Sequence, residues 1–274
     1  MRLNTLDSNL EPSATNDWRG TSVEALASVM VLAAGRGERM RPLTDHTPKP
    51  MLLVRGKPLI QWHMEALAAA GQHNMLINTA WLGPQIESHF GLNPDLPEVG
   101  RVRLKYSHEG KDFGYALETA GGIVRALPHL ADVFWVAAGD IYAPEFEFSA
   151  GAYESFTASP QLAHIWLVPN PAHNPGGDFG LSVTGQVLNL AKGAVGCQYT
   201  FSTVALYKKA FFAACGLPLG NPEGVALALA PLLRAAIILL YTLVEARKPA
   251  AEDLNPAGAP SNNNTALPVT FSFA

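Results

Sequence analysis

The chain has 274 residues, of which 48% are hydrophobic and 15% are charged, and its formal net charge is −4. This length and composition predict one large domain or two small ones around a sizeable core. The small negative charge excludes a broad basic surface for nucleic acid, although a local basic cluster could still bind a small anion. The two cysteines, Cys197 and Cys215, have no metal-ligand spacing, so we expect reduced thiols in a cytoplasmic protein.

The first 20 residues are polar, contain acidic side chains and lack the apolar stretch of a secretory signal. We expect residues 1–28 to be a disordered extension that precedes a folded domain over residues 29–245. The segment 246–274 is rich in Ala, Pro and Asn, and we expect it to be a disordered tail.

Apolar, β-rich runs alternate with helical patterns from residue 29 onward. The predicted strands are 29–34, 75–79, 102–106 and 133–138, and the predicted helices are 59–70, 84–90 and 121–127. Farther along, strands are predicted at 162–168, 180–189 and 201–207, followed by a short helix at 210–215. This alternation predicts an α/β fold: a Rossmann-like, mostly parallel mixed sheet flanked by helices. In such a sheet, ligands bind at the carboxyl ends of the strands.

Residues 224–244 form an apolar run that is long enough to span a membrane. Pro231 and Arg234 lie in its middle, and a central arginine costs roughly 2.5–3.5 kcal/mol on insertion scales. We therefore predict a buried amphipathic helix that begins near Pro231. Membrane association through this run is the alternative.

The densest motif, LAAGRGERMRPLTDHTPKP, occupies residues 32–50, directly after the first predicted strand. Gly35 and Gly37 permit positive φ angles and let backbone N–H groups approach an anion closely. Lys49 lies between two prolines, so its ammonium group is attached to a stiff backbone. The motif also contains three arginines, whose guanidinium groups suit phosphate oxygens: Arg36, Arg39 and Arg41. Together these features predict a polyphosphate-binding loop, in which residues 35–39, including Glu38, hold the phosphates.

Two common phosphate loops do not fit this stretch. The dinucleotide pattern GxGxxG fails because Met40 occupies the third glycine position, and the pattern GxxxxGK[ST] is absent. A surface loop with incidental arginines is the alternative interpretation. The full spacing GxGxRxxPLTxxxPK is much more specific than a bare GxG, and it favours phosphate binding.

Polar residues follow two other predicted strands. Asp140 comes directly after the apolar strand VFWVAA and Gly139. A carboxylate at this end of a strand is suited to hold Mg²⁺ beside a triphosphate, and a turn or N-cap aspartate is the alternative. Asn78, near the end of the second strand, could reach a base or a sugar, or it could bond to its own backbone.

The segment LETAGG, residues 117–122, is predicted to be a loop between a strand and a helix. Gly121 and Gly122 would let a flat aromatic ring press against the backbone. Glu118 is the polar residue that we expect to contact such a ring. A carboxylate that only stabilises a helix start is the alternative for Glu118.

These motifs resemble a known family. The stretch at residues 32–50 is similar to the signature of the sugar-nucleotidyltransferases, which join a sugar 1-phosphate to a nucleoside triphosphate. NTAWLG at 78–83, LETAGGI at 117–123 and NPAHNPGGDFGL at 170–181 resemble the N-acetylmuramate-1-phosphate uridylyltransferases of bacterial cell-wall recycling. The resemblance covers residues 29–237 and implies a nucleotidyltransferase fold.

The resemblance also implies a reaction and a set of roles. UTP and N-acetylmuramate 1-phosphate would be the substrates, Mg²⁺ the cofactor and the cytoplasm the location, with GTP and mannose 1-phosphate as the alternative substrates. Arg39, Lys49 and Asp140 would be catalytic, Asp140 would bind the metal, and LETAGG would receive the nucleobase. Asn170 and Asp178 would face the sugar phosphate, and a hairpin turn is the alternative for Asp178.

The chain departs from the family near its carboxyl end. The family has a second metal-binding aspartate there, in a motif resembling Trp-Val-Asp-Val-Gly-Thr, and no such motif occurs in this sequence. After Asp178 the only aspartate is Asp253, in AEDLNPAG. Loss of a metal carboxylate weakens charge stabilisation in the transition state, whereas a triphosphate could still bind to the loop. A catalytically impaired nucleotide-binding module is therefore an alternative function.

Overall fold

The structure is a computed structural model, and it describes residues 25–183, 186–188, 190, 194–196, 199–215, 221, 222 and 224, together with the backbone of residues 267–270. A seven-stranded sheet forms its centre. The strands are β1 Ala27–Ala33, β2 Asn74–Thr79, β3 Arg103–His108, β4 Leu130–Ala138, β5 Ala163–Pro169, β6 Tyr199–Lys208 and β7 Leu267–Thr270. Their spatial order is β7-β5-β6-β4-β1-β2-β3.

The sheet is mixed and mostly parallel, as predicted. Strand β1 runs parallel to β2 and β4, and β2 runs parallel to β3. Strand β6 is antiparallel to both β4 and β5, so β5 points in the same direction as β4. The edge strand β7 is antiparallel to β5. The carboxyl ends of β1, β2, β3 and β4 therefore share one edge of the sheet.

Helices cover both faces of the sheet. They are α1 Leu59–Ala69, α2 Gly83–Phe90, α3 Glu109–Phe113, α4 Glu118–Ala126, α5 Ala150–Ala158 and α6 Lys209–Ala214. Helices α4 and α6 pack on one apolar cluster, and α1, α2 and α5 pack on another. Successive side chains of β1 alternate between the two clusters, because Met30 joins the first while Val29 and Val31 join the second. Burial on both faces explains the continuous apolar runs of the strands.

Several predicted elements need correction. The predicted strand 180–189 is instead a short ribbon, in which Gly180–Leu181 pairs with Val187–Leu188. The predicted helix 121–127 begins three residues earlier, at Glu118, and helices α3 and α5 were not predicted. Residues 267–270, inside the predicted tail, form β7, which has the β-branched Val269 and Thr270 and an edge position that tolerates Pro268.

The predicted helix near Pro231 and the apolar run that contains it lie outside the described residues, apart from residue 224. Within the part of the chain that the structure describes, no helix combines the length and apolar character needed to cross a membrane.

Candidate active site

The candidate site lies at the carboxyl ends of β1, β2 and β4. Leu32 of β1 is aligned with Asn78 of β2 and with Ala138 of β4. Immediately beyond Ala138, the Gly139 N–H donates to the Leu32 carbonyl over 2.9 Å. Three segments that are far apart in sequence therefore meet at one edge: the loop after β1, Asn78 and Asp140.

A tight glycine turn shapes the loop after β1. Gly37 has φ +69°, and a Cβ at this position would lie 3.1 Å from Lys49 Cβ and 3.1 Å from Thr44 Cγ2. The buried Thr44 hydroxyl donates to the Gly37 carbonyl over 2.9 Å. Gly35 is exposed, and no described heavy atom lies within 4 Å of where its Cβ would be. The turn thus holds Gly37 against Lys49 and leaves the backbone at Gly35 open to a ligand.

The three arginines of this loop have different environments. Arg36 and Arg41 both pair with Asp45, over 2.9 and 2.8 Å. The hydrogen bond from Arg36, together with the charge of Arg41, lowers the pKa of Asp45. Arg39 is exposed and forms no ion pair within the described residues. Arg39 is therefore the loop arginine whose charge remains available to an anion.

Lys49 and Asp140 form an ion pair across the site. Lys49 Nζ lies 2.8 Å from Asp140 Oδ2, and the side chains are 27% and 35% exposed. The two residues are 91 positions apart in the sequence. The pair places an ammonium donor and a carboxylate acceptor side by side at an edge that solvent reaches. This arrangement can bind phosphate oxygens through the lysine and a cation through the aspartate.

The backbone on both sides of Asp140 is held in place. A Cβ on Gly139 would lie 3.1 Å from Ile60 Cγ1 and 3.1 Å from Val31 Cγ1, so only glycine fits without displacing its neighbours. On the other side, the buried His63 ring bonds to the Ile141 carbonyl over 3.0 Å through Nε2. Burial lowers the pKa of His63. No sequence pattern points to His63, because its proximity to residue 141 exists only in the fold.

Asn78 lies at this edge, but its carboxamide faces inward. It is 3% exposed. Its Oδ1 accepts the Ala33 N–H over 2.9 Å, and its Nδ2 donates to Glu109 Oε1 over 2.8 Å. The side chain thus forms two internal hydrogen bonds, which neither predicted role for Asn78 anticipated. Contact between Asn78 and a nucleotide stays a prediction.

Glu109 is the site residue that sequence reasoning missed. It is fully buried, at 0% exposure, and its Oε2 accepts the Leu117 N–H over 2.7 Å. Burial raises its pKa, against the opposing effect of its hydrogen bonds from Asn78 and Leu117. The surrounding sequence, SHEGKD, is polar and contains no signal for a buried carboxylate.

The LETAGG segment is helical, which corrects the predicted loop. Gly121 and Gly122 are buried within α4. A Cβ on Gly122 would lie 2.6 Å from Glu109 Oε1 and 3.0 Å from Asn78 Nδ2. Gly122 thus makes room for an internal carboxylate. Glu118 opens the helix at φ +58°, a left-handed conformation that is strained for a residue with a side chain, and it is exposed. Its predicted contact with a nucleobase remains a prediction.

Asn170 and Asp178 lie beside the first residues of β6. Asp178 accepts from Asn174 Nδ2 over 3.1 Å and from the Phe201 N–H over 3.0 Å. Asn170 Oδ1 accepts the Thr200 hydroxyl over 3.0 Å. These bonds join the loop after β5 to the first residues of β6. The role of both residues toward a sugar phosphate stays a prediction.

With this geometry established, comparison with known proteins identifies the chain. Residues 28–186 match the sequence model of the family described as Nucleotidyl transferase. The chain belongs to the nucleotidyl transferase family. It is 46% identical over 208 residues to an N-acetylmuramate alpha-1-phosphate uridylyltransferase of Neisseria meningitidis, which covers 75% of this chain and 83% of that protein.

Two further relatives agree with this family. An N-acetylmuramate alpha-1-phosphate uridylyltransferase of Caulobacter vibrioides is 38% identical over 109 residues, which cover 38% of this chain and 40% of that protein. The crystal structure of a putative glucose-1-phosphate thymidylyltransferase from Bacillus anthracis has a TM-score of 0.55 at 20% identity, over 74% of this chain and 83% of that one. The likeness to that structure confirms the predicted nucleotidyltransferase fold.

The donor groups around Asp140 decide whether this nucleotidyltransferase can hold a divalent metal at the site. Within the described residues, no three His, Cys, Asp or Glu side chains come together as a metal-binding group. The Asp140 carboxylate is partly exposed at the open edge of the sheet. One carboxylate completed by waters and substrate phosphates is a common way for Mg²⁺ to bind. Asp140 therefore fits a magnesium ion that arrives with a nucleotide.

Proposed function

We propose that this protein transfers the uridylyl group of UTP to N-acetylmuramate 1-phosphate and releases pyrophosphate, in the cytoplasmic recycling of peptidoglycan. The observation that carries the proposal is the Lys49–Asp140 pair beside the glycine loop. The choice of UTP and of this sugar is supported by the 46% identity to the Neisseria meningitidis protein.

In the proposed reaction, an oxygen of the sugar 1-phosphate attacks the α-phosphorus of UTP. The bond from that phosphorus to the bridging oxygen breaks, and pyrophosphate leaves in line with the attack. The enzyme forms no covalent intermediate, so it accelerates the reaction by positioning the substrates and neutralising charge. Backbone N–H groups of residues 35–39 and the Arg39 guanidinium would hold the β- and γ-phosphates.

Lys49 would donate to phosphate oxygens of both substrates, which reduces the repulsion between two anions that must approach each other. In the structure its ammonium group is paired with Asp140. Substrate binding would give each of these charges a new partner. When bound at Asp140, Mg²⁺ would supply further charge neutralisation at the phosphates.

The test is pyrophosphate release from UTP with Mg²⁺, in the presence and absence of N-acetylmuramate 1-phosphate. We expect release that depends on the sugar phosphate, and we expect Asp140→Asn to lower it by about a hundredfold or more. Asp132→Asn is the matched control, because Asp132 lies on β4, the strand that leads to Asp140, and its side chain is 94% exposed. GTP with mannose 1-phosphate tests the nearest alternative substrates. If the wild-type protein released no pyrophosphate in response to the sugar phosphate, the proposal would fail.

A second candidate is a nucleotide-binding module without turnover. It is favoured by one feature of the sequence: Asp253 is the only aspartate after Asp178, and its flanks do not resemble the family's second metal-binding motif. Magnesium-dependent UTP binding that Lys49→Ala weakens, without any pyrophosphate release, would support this candidate over the transferase.

A further inference from the structure

We infer that Glu109 is a positioning residue that, through Asn78, fixes the phosphate loop relative to the start of helix α4. The inference rests on the proposed function and on the expectation from the resemblance that LETAGG, at the start of α4, receives the nucleobase. It depends on a hydrogen-bond network that the structure shows directly.

The network is a chain of three hydrogen bonds that crosses four elements. The Ala33 N–H at the end of β1 donates to Asn78 Oδ1 over 2.9 Å. Asn78 Nδ2 in β2 then donates to Oε1 of Glu109, the first residue of α3, over 2.8 Å. Oε2 of the same carboxylate accepts the N–H of Leu117, the residue before α4, over 2.7 Å. Each of the three bonds therefore pairs an N–H donor with an oxygen acceptor.

Both side chains of this network are buried away from water. Glu109 is 0% exposed and Asn78 is 3% exposed, so a lost partner could not be replaced by solvent. Burial of a carboxylate carries a desolvation free energy that an apolar side chain of similar size would avoid. What Glu109 supplies instead is two acceptor oxygens with a fixed separation, one for β2 and one for α4.

Two glycines allow the helices to approach the network closely. A Cβ on Gly122 of α4 would lie 2.6 Å from Glu109 Oε1. A Cβ on Gly110 of α3 would lie 2.8 Å from both Cα and the carbonyl oxygen of Ala80, just beyond β2. The close contacts at Gly110 and Gly122 therefore fix the positions of α3 and α4.

The location of the two ends of the network gives it a role in binding. Ala33 lies two residues before Gly35 of the phosphate loop. Leu117 is adjacent to Glu118, where the nucleobase is expected. A nucleotide held at both places must span the distance between them, and a small error in that distance weakens binding and alignment together. Glu109 and Asn78 are the side chains that join these two places.

The test exchanges the donor and the acceptor between the two side chains. Asn78→Asp sets a second carboxylate against Glu109, and Glu109→Gln sets an amide N–H₂ against a donor. In the double variant Asn78→Asp/Glu109→Gln, the new carboxylate still accepts from Ala33 and also from the new amide. The amide oxygen still accepts from Leu117. The double variant therefore restores every hydrogen bond with the same total charge.

We expect each single variant to raise the KM for UTP by about tenfold or more, and we expect the double variant to return it to within about threefold of wild type. The kcat and the KM for the sugar phosphate should change less than the KM for UTP, which distinguishes positioning from a general loss of stability. Glu154→Gln is the matched control, because Glu154 is exposed on α5. If a single variant does not fold, recovery of both folding and KM in the double variant supports the same conclusion.

A second measurement does not depend on turnover. The amide protons of Ala33 and Leu117 should exchange slowly in the wild-type and double-variant proteins, and faster in the single variants. A double variant that does not recover, or single variants that lose amide protection without weaker UTP binding, would overturn the inference. If the wild type releases no pyrophosphate, the proposed transfer reaction has failed. Calorimetric UTP binding and amide exchange would then still decide the role of Glu109.

Discussion

At the scale of single residues, the arginines of the loop after β1 are of two kinds. Two form ion pairs within the loop, and one faces solvent. Arg36 and Arg41 share the carboxylate of Asp45, and the Arg36 guanidinium also lies 3.7 Å from the centroid of the Trp81 ring. These contacts hold the loop in one conformation. Arg39, by contrast, is exposed and has no ion-pair partner within the described residues. The three arginines therefore differ in environment, although all three lie within six residues of one motif.

We accordingly expect Arg39→Ala to raise the KM for UTP by about tenfold or more, because it would remove the proposed charge-assisted hydrogen bond to a phosphate, worth about 1.5–3 kcal/mol. Arg41→Ala should change it by less than about threefold, because an exposed ion pair contributes only about 0–1 kcal/mol. Steady-state pyrophosphate release at varied UTP concentration compares the two variants. Equal effects from both would contradict the distinction between the arginines.

At the scale of elements, α4 is positioned by its glycines. Gly122 leaves the space that the Glu109 carboxylate occupies, and that carboxylate is fixed by its hydrogen bonds from Asn78 and Leu117. Because Glu109 cannot turn aside without losing them, helix α4 could accept a methyl group at position 122 only by moving away from β2. Replacing a helical glycine with alanine ordinarily stabilises the helix, because alanine has the higher helix propensity. At position 122 the contact with Glu109 opposes that stabilisation.

For this reason we expect Gly122→Ala to lower the free energy of unfolding by about 1–3 kcal/mol, the range typical of overpacking in a core. Gly151→Ala is the matched control in α5, where a Cβ would meet only Ser149 Oγ, at 3.6 Å among the described atoms. There the helix propensity of alanine should add up to about 1 kcal/mol. Urea denaturation measures both changes. A Gly122→Ala protein as stable as wild type would show that Glu109 can move.

At the scale of the whole molecule, titratable groups that are withdrawn from solvent connect stability to pH. His164 on β5 lies among aromatic rings, with its ring centroid 4.4 Å from that of Trp166, and burial lowers the pKa of His164 to about 4. In the unfolded chain its pKa returns to 6.5, so below that pH the unfolded state binds a proton that the folded state does not. Burial raises the pKa of Glu109 above its ordinary value of 4.5. Above pH 4.5 the folded state therefore keeps a proton that the unfolded state releases, so the contribution of Glu109 to stability decreases as the pH rises.

The histidine contribution to stability is thus complete above about pH 6.5 and is lost as the pH falls toward 4. We expect the free energy of unfolding to decrease less between pH 7 and pH 5 in His164→Gln than in the wild type. His89→Gln, which alters an exposed histidine on α2, should retain the wild-type dependence. Urea denaturation at the two pH values measures the slopes, and identical slopes for wild type and His164→Gln would contradict a lowered pKa.

The sequence by itself determined the parallel part of the sheet and the two charges at its edge. Strands buried on both faces are continuous apolar runs, and such runs can be recognised locally, as at β1 and β4. Lys49 and Asp140 could be placed together across 91 positions, because neighbouring parallel strands present their carboxyl ends at one edge. The motif spacing was also sufficient to identify the family.

The tertiary structure alone decided which of these polar groups face a ligand and which support the fold. Asn78 turned out to bond to Ala33 and Glu109, which are 45 and 31 positions away. Glu109 gave no local signal, and the glycines of LETAGG proved to be helical. The physical reason is common to all three. A buried polar group takes whatever partner the packing brings within about 3 Å, and that partner is set by how distant segments pack together, which no local pattern of residues records.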